Sequence, residues 1–200
     1  MPSRVPFLGL TGGLGAGKSE ALRVLAELGA ATLSTDAVVH ELLQSDELRD
    51  TVVERLGPDV VRDGALDRSL IAERVFGDHE ARAWLESTLW PRVGARVADW
   101  RRSLDDADPR PRAAVVEVPL LFESGMDSVF DGTVAVVADE AVRAERAGAR
   151  GHAAVAGRTG RQLSQEEKSE RANFTVRNDG TIDELKQSLS RLLEKIERKS

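Results

Sequence analysis

Residues Gly12 to Ser19 read Gly-Gly-Leu-Gly-Ala-Gly-Lys-Ser, and their types and spacing suit one task, holding a phosphate chain. Glycines let the backbone curl so that successive N–H groups face an anion. A helix beginning at Lys18 would add its positive end, the lysine a mobile cation, and the Ser19 hydroxyl a magnesium ligand. The spacing Gly12-x4-Gly17-Lys18-Ser19 is that of a P-loop. A chance glycine-rich turn is the competing explanation. It fares poorly, because the string follows an apolar run, Val5 to Leu10, and precedes a helical pattern, Lys18 to Leu28. Five glycines between Gly9 and Gly17 would also weaken a fold that made no use of them.

The elements that must position this loop follow in order. Val5 to Leu10 has the length of a buried parallel strand. Ala21, Leu22, Leu25, Ala26 and Leu28 give the next helix its apolar face, which stops at Gly29. Ala30 to Leu33 reads as a second strand, so Asp36 falls at its carboxyl end, the edge where open α/β sheets bind ligands. Asp36 would also serve as the cap of a helix beginning at Ala37.

Strand and helix then cease to alternate. From Ala37 to Arg102 the apolar residues recur at helical spacing, with a turn at Arg62-Asp63-Gly64 and a capping aspartate at Asp67. Trp84, Leu85, Leu89, Val93, Val97 and Trp100 share one stripe, which reads as core. Pro91 is expected to kink that stretch or start its second half. Ala113 to Val118 and Thr133 to Val137 read as further strands. Glu117 ends the first of these. It is either a solvated strand end or a buried acid that must be paired or bind a metal.

From Arg143 to Arg161 the chain is built largely of Ala, Gly and Arg. Arg143, Arg146, Arg150, Arg158 and Arg161 make it either a solvated helix or a lid whose arginines face phosphate. Ser164 with Glu167, and Thr181 with Glu184, form capping boxes. The last helix carries Ile182, Leu185, Leu189, Leu192, Leu193 and Ile196 on one face.

Composition sets outer bounds. Two hundred residues suit one α/β domain with a small insertion. A net charge of −6 lacks the basic footprint of a nucleic-acid binder. With no cysteine there are no disulfides or thiolate metal sites, which fits a reducing, cytoplasmic setting. No apolar window approaches the roughly 20 residues of a membrane span, so no membrane partner is expected.

Taken together, several spaced pieces resemble the dephospho-coenzyme A kinase family. They are Gly9 to Ser19, Asp36, Leu66-Asp67-Arg68, Val75-Phe76, Val118-Pro119-Leu120-Leu121-Phe122-Glu123, Arg146-x3-Arg150 and Asn178-Asp179-Gly180, in order along nearly the whole chain. The resemblance implies an α/β, three-layer P-loop NTPase fold with a parallel sheet core, a helical substrate-binding insertion and a lid. Residues 1–36, 113–142 and 172–200 would form the nucleotide-binding core, 37–112 the insertion for the coenzyme A moiety, and 143–171 the lid. The implied reaction is ATP-dependent phosphorylation of the ribose 3′-hydroxyl of dephospho-CoA, with ATP as donor and Mg²⁺ as its ion.

The same resemblance implies site residues. Gly13, Leu14, Gly15, Ala16, Gly17, Lys18, Ser19 and Glu20 would contact ATP, with Arg146 and Arg150 from the lid and Asn178 beside the adenine. Asp36 matches the family's proposed base, and Lys18 would balance phosphate charge. A carboxylate is far too weak a base to deprotonate an alcohol in advance, so Asp36 would orient the hydroxyl and take its proton late. Ser19 would ligate Mg²⁺, and Glu117 would act on it through water. Trp90 stands where the family usually has histidine, either to stack on substrate or to pack. Glu20 stands where threonine is common, and Glu117 where many members have aspartate. Two other readings remain: a P-loop kinase with another small acceptor, and a nucleotide-binding protein that transfers nothing. Guanine specificity is disfavoured, since neither Asn173 nor Asn178 is followed by lysine.

Overall fold

A computed structural model describes residues 4–149 and 162–198 of the chain, with no side chains described at 147–149. The chain divides into two compact units, one of residues up to Ser34 with those from Arg101 onward, the other Thr35–Trp100.

The first unit is built on a five-stranded parallel sheet. Its strands are β1 (Phe7–Gly12), β2 (Ala31–Ser34), β5 (Ala114–Glu117), β6 (Gly132–Val137) and β7 (Phe174–Arg177), in the order β2-β5-β1-β6-β7. The loop-bearing β1 is therefore central, paired from Phe7↔Ala114 on one side and Leu8↔Gly132 on the other. Burial on both faces explains why β1, β5 and β6 read as apolar runs instead of alternating patterns.

Helices α1 (Lys18–Glu27) and α8 (Ile182–Glu197) cover one face. Leu8 and Leu10 of β1 meet Val24 and Leu25 of α1 and Leu185, Leu189 and Leu193 of α8 there. Each such leucine contributes about 1.5–3 kcal/mol by leaving water. On the opposite face the Phe7 and Phe130 rings lie 4.6 Å apart, and the Arg101 guanidinium sits 4.3 Å above Phe7. Helix α7 (Gln165–Arg171) starts at a complete capping box, Ser164 with Glu167, and α8 at another, Thr181 with Glu184, both as the sequence predicts. Helix α6 (Glu140–Ala149) follows β6 directly.

The second unit is helical: α2 (Thr35–Leu43), α3 (Asp46–Leu56), α4 (Arg68–Val75) and most of α5 (His79–Ser103), with a small hairpin of β3 (Val61–Arg62) and β4 (Ala65–Leu66). Leu43, Leu48, Val52, Leu56, Leu66 and Ile71 form its own core, against which Trp84 packs. Asp67 caps α4 by accepting from the N–H groups of Ser69 and Leu70 at 2.8 and 3.1 Å.

Two local expectations are corrected. Of the two expectations at Pro91, a kink or a restart, the restart does not hold: helix α5 runs through it as one element of 25 residues. The ring removes only the single N–H that would have reached the Ser87 carbonyl. Helix α2 begins at Thr35, so Asp36 lies inside its first turn and is not its cap. Among the described residues no helix is long and apolar enough to cross a membrane.

Candidate phosphate-binding site

The first motif glycine, Gly12, ends β1, and α1 begins at Lys18, so residues 13–17 form the link between central strand and helix. Gly17 takes the left-handed conformation at the N-cap of α1, with φ 89°. A side chain there would also run into the Asn178 amide. Gly15, at φ 75°, lies against the backbone of α6, where an added Cβ would stand 2.5 Å from the Arg143 carbonyl oxygen. Both glycines are thus required twice, by conformation and by the closeness of a neighbour.

The Lys18 ammonium folds back to donate to the carbonyl oxygens of Gly12 and Gly13, each at 3.1 Å. It is poised at the loop's own mouth on a flexible stem. Ser19 is exposed in the first turn of α1, and the Glu20 carboxylate is paired with Arg23 at 2.5 Å. Leu14 is exposed at the tip, whereas Ala16 is fully buried beneath it.

Three side chains from distant segments rim the loop. The Asn178 amide donates to the Ala16 carbonyl at 2.9 Å, while the Asn178 carbonyl accepts from Arg146 Nη1 at 2.9 Å. Arg143 Nε donates to the Leu14 carbonyl at 3.2 Å, and Arg143 also pairs with Glu140 at 3.3 Å. The turn carrying Asn178 is itself clasped to the start of α6. Asp179 accepts from the Asp139 N–H at 2.5 Å, and Arg177 lies 3.4 Å from Asp139. Lys18, Arg143, Arg146 and the N-terminus of α1 therefore gather positive potential in a protein whose net charge is −6. Arg150, Arg158 and Arg161 lie outside the described residues.

Glu117 closes β5 beside Leu10 of β1 and Ser34 of β2 and is 6% exposed, so the solvated-end reading does not hold. In the second unit Asp36 is half exposed, with Arg68 Nη2 3.4 Å from its Oδ1. Two motif pieces 32 residues apart thus come together within that unit. Trp90 is half-buried on α5. Among the described residues there is no cluster of three or more His, Cys, Asp or Glu side chains able to hold a metal by themselves.

Three residues escaped the sequence reading as individuals. Arg143 is one arginine among five in the sequence, and its place on α6 brings it to the loop. Lys168 sits in the helix opened by the Ser164 capping box and is 1% exposed. Its partner Glu123, 3.0 Å away, closes the motif at residues 118–123, whose sequence gives that carboxylate no role of its own.

A phosphate loop joining the central strand of a parallel sheet to a helix defines a P-loop nucleotide-binding protein. Comparison with known proteins narrows this. Residues 6–184 match the family model described as dephospho-CoA kinase. Dephospho-CoA kinase of Protochlamydia amoebophila is 38% identical over 191 residues, 94% of each chain. That of Deinococcus radiodurans is 38% identical over 200 residues, 98% of this chain and 95% of its own. Among solved structures, TT1252 from Thermus thermophilus superposes with a TM-score of 0.80 at 30% identity, covering 97% of this chain and 99% of that one. Dephospho-CoA kinase from Campylobacter jejuni shares the fold, with a TM-score of 0.69 at 24% identity over 96% of both chains. The chain belongs to the dephospho-CoA kinase family, a family of phosphotransferases.

Proposed function

We propose that the protein transfers the γ-phosphoryl group of ATP to the ribose 3′-hydroxyl of dephospho-CoA, giving coenzyme A and ADP. The observation that carries this reading is the cradle itself, in a chain of this family: a loop that turns at Gly15 and Gly17, with Lys18, Arg143 and Arg146 around it. The loop N–H groups and the N-terminus of α1 receive the β-phosphate region. Lys18 exchanges its two loop carbonyls for phosphate oxygens, a swap its flexible stem allows at little cost. Arg146 and Asn178 stand at the nucleotide's adenosine side, with Glu20 and the lid arginine Arg150 as further ATP contacts.

The 3′-oxygen attacks the γ-phosphorus, the bond to the bridging oxygen of ADP breaks, and the hydroxyl proton passes to Asp36. Little covalent work falls to the protein, so positioning and charge stabilisation dominate. The donor set fits a hard cation bound mainly through the nucleotide: the Ser19 hydroxyl at the loop and the buried Glu117 carboxylate at the end of β5. A magnesium ion held there would neutralise charge on the phosphates. Residues 37–112 would hold the coenzyme A moiety and 143–171 would serve as the lid. A cytoplasmic location suits both the substrates and the absence of cysteine.

The test is purified protein with ATP, Mg²⁺ and dephospho-CoA, set against a panel of sugar and nucleoside acceptors. ADP release only with dephospho-CoA is the expected result. Equal release with another acceptor would favour a different small-molecule kinase, and no acceptor-dependent release would leave a nucleotide-binding protein.

A further inference from the structure

Lys168 is the largest of the fully buried side chains among the described residues, and nothing in the phosphate-transfer scheme uses it. Its ammonium donates to the Pro119 carbonyl at 2.7 Å and lies 3.0 Å from Glu123 Oε1. The same carbonyl accepts from the Thr11 hydroxyl at 3.3 Å, and Thr11 is fully buried in β1 just before Gly12. Glu123 Oε1 also accepts from the Leu163 N–H at 2.9 Å, while its Oε2 is buried with no hydrogen-bond partner among the described residues.

The position of Pro119 gives this junction its interest. It stands two residues beyond Glu117, where the ladder between β5 and β1 ends with the Val118 N–H on the Leu10 carbonyl at 2.8 Å. Proline has no N–H to extend that ladder. Only its carbonyl can be held, and two donors hold it, one from β1 and one from α7. The backbone leaving Glu117 is thereby fixed to the strand that enters the phosphate loop.

Stability does not account for an ion pair here. Desolvating two charges costs several kcal/mol each, and apolar residues of the same volume often do as well or better. What a buried ammonium does supply is a short, directional donor where no backbone donor exists. We propose that Lys168 is a positioning residue: through the Pro119 carbonyl it holds the Glu117 carboxylate and the Gly12 end of the loop in register. Glu123 is its counter-ion and also fastens the backbone at Leu163. Lys168 itself touches no substrate. The proposal rests on the reading of Glu117 as a residue that faces the nucleotide's metal ion.

The experiment compares Lys168→Met, Glu123→Gln and the double variant with the unaltered protein. The readouts are melting temperature, the Mg²⁺ dependence of ADP binding without any acceptor, and steady-state rates with dephospho-CoA. Lys168→Met leaves the Glu123 carboxylate buried and unpaired, so it should melt well below the unaltered protein. The double variant removes that charge and should recover most of the lost melting temperature. Its turnover should nonetheless stay on the order of tenfold to a hundredfold low, as expected of a misplaced transfer site. Half-saturation by Mg²⁺ should shift upward several-fold, with the KM for dephospho-CoA little changed. A double variant that recovers Mg²⁺ dependence together with stability overturns the proposal, since the junction would then be structural only. One as unstable as Lys168→Met alone also overturns it, because the unpaired carboxylate would not be the cause. The ADP-binding arm needs no acceptor. A failure of the dephospho-CoA reading would therefore appear in the rates of the unaltered protein and not in this comparison.

Discussion

The side-chain amide of Asn178 donates to the carbonyl oxygen of Ala16 at 2.9 Å, tying the turn after β7 to the middle of the phosphate loop. Both residues are buried, and the Asn178 carbonyl is in turn held by Arg146. Replacing Asn178 with alanine leaves the Ala16 carbonyl without that donor, at a cost of about 1–3 kcal/mol. Asn178→Ala should lower the melting temperature and raise the KM for ATP more than that for dephospho-CoA. Thermal melts and initial rates with each substrate varied in turn would check both.

Gly15→Ala puts a methyl group 2.5 Å from the Arg143 carbonyl in a backbone conformation, φ 75°, that alanine resists. The loop and α6 cannot both keep their places. ATP binding, followed by titration, should weaken by about fivefold or more, since strain of this kind costs roughly 1–3 kcal/mol. The far-ultraviolet circular dichroism should be unchanged, because the sheet core does not touch this methyl.

Asp36→Asn retains the shape of the side chain and removes its capacity to take a proton. Turnover should fall by about 10²–10⁴, the range for loss of a positioned general base. ATP affinity should persist, because in this scheme the nucleotide is held by the loop. Unaltered turnover would remove Asp36 from the mechanism.

Acid should expose a different set of carboxylates. Hydrogen bonds from the Arg112 guanidinium hold the Glu197 carboxyl below the usual glutamate value of 4.5. The pair is bidentate, at 2.7 and 2.9 Å. The backbone N–H groups of Ser164 and Thr181 likewise hold Glu167 and Glu184 down. A carboxyl lowered on folding stabilises the folded state above its unfolded pKa, and that contribution drains as pH falls through the folded value. Glu197→Gln should therefore cost up to about 1 kcal/mol at pH 7, the upper range for a partly screened pair. The difference from the unaltered protein should close below pH 4.5. Melting curves from pH 7 to pH 3 would show the two converging.

Legibility in the sequence followed the range of the interaction. The phosphate loop, the capping boxes at Ser164 and Thr181 and the cap at Asp67 all form as read, because each is set by residues within a few positions. Glu117 remained ambiguous, since its burial depends on being flanked by β1 and β2, which no local pattern specifies. Pro91 reads as a kink or a new start, and the helix continues through it, with Leu85 and Leu89 packed on the second unit's core. The particular contacts of Arg143 and Lys168 are not legible for the same reason. Their surroundings are assembled from segments more than a hundred residues away in the first case and about fifty in the second.

The central place of β1 also governs the order in which the molecule can take shape. Its two ladder partners begin at residues 114 and 132, so the strand leading into the loop stays unpaired until segments about a hundred residues further along have been made. Between β2 and its partner β5, residues 35–100 close a core of their own, which shortens the span that must be bridged. We expect the amides of α3 and α4 to gain protection from hydrogen exchange during refolding before those of β1. The nucleotide cradle, which precedes both partners of its strand along the chain, is then among the last parts to become able to bind.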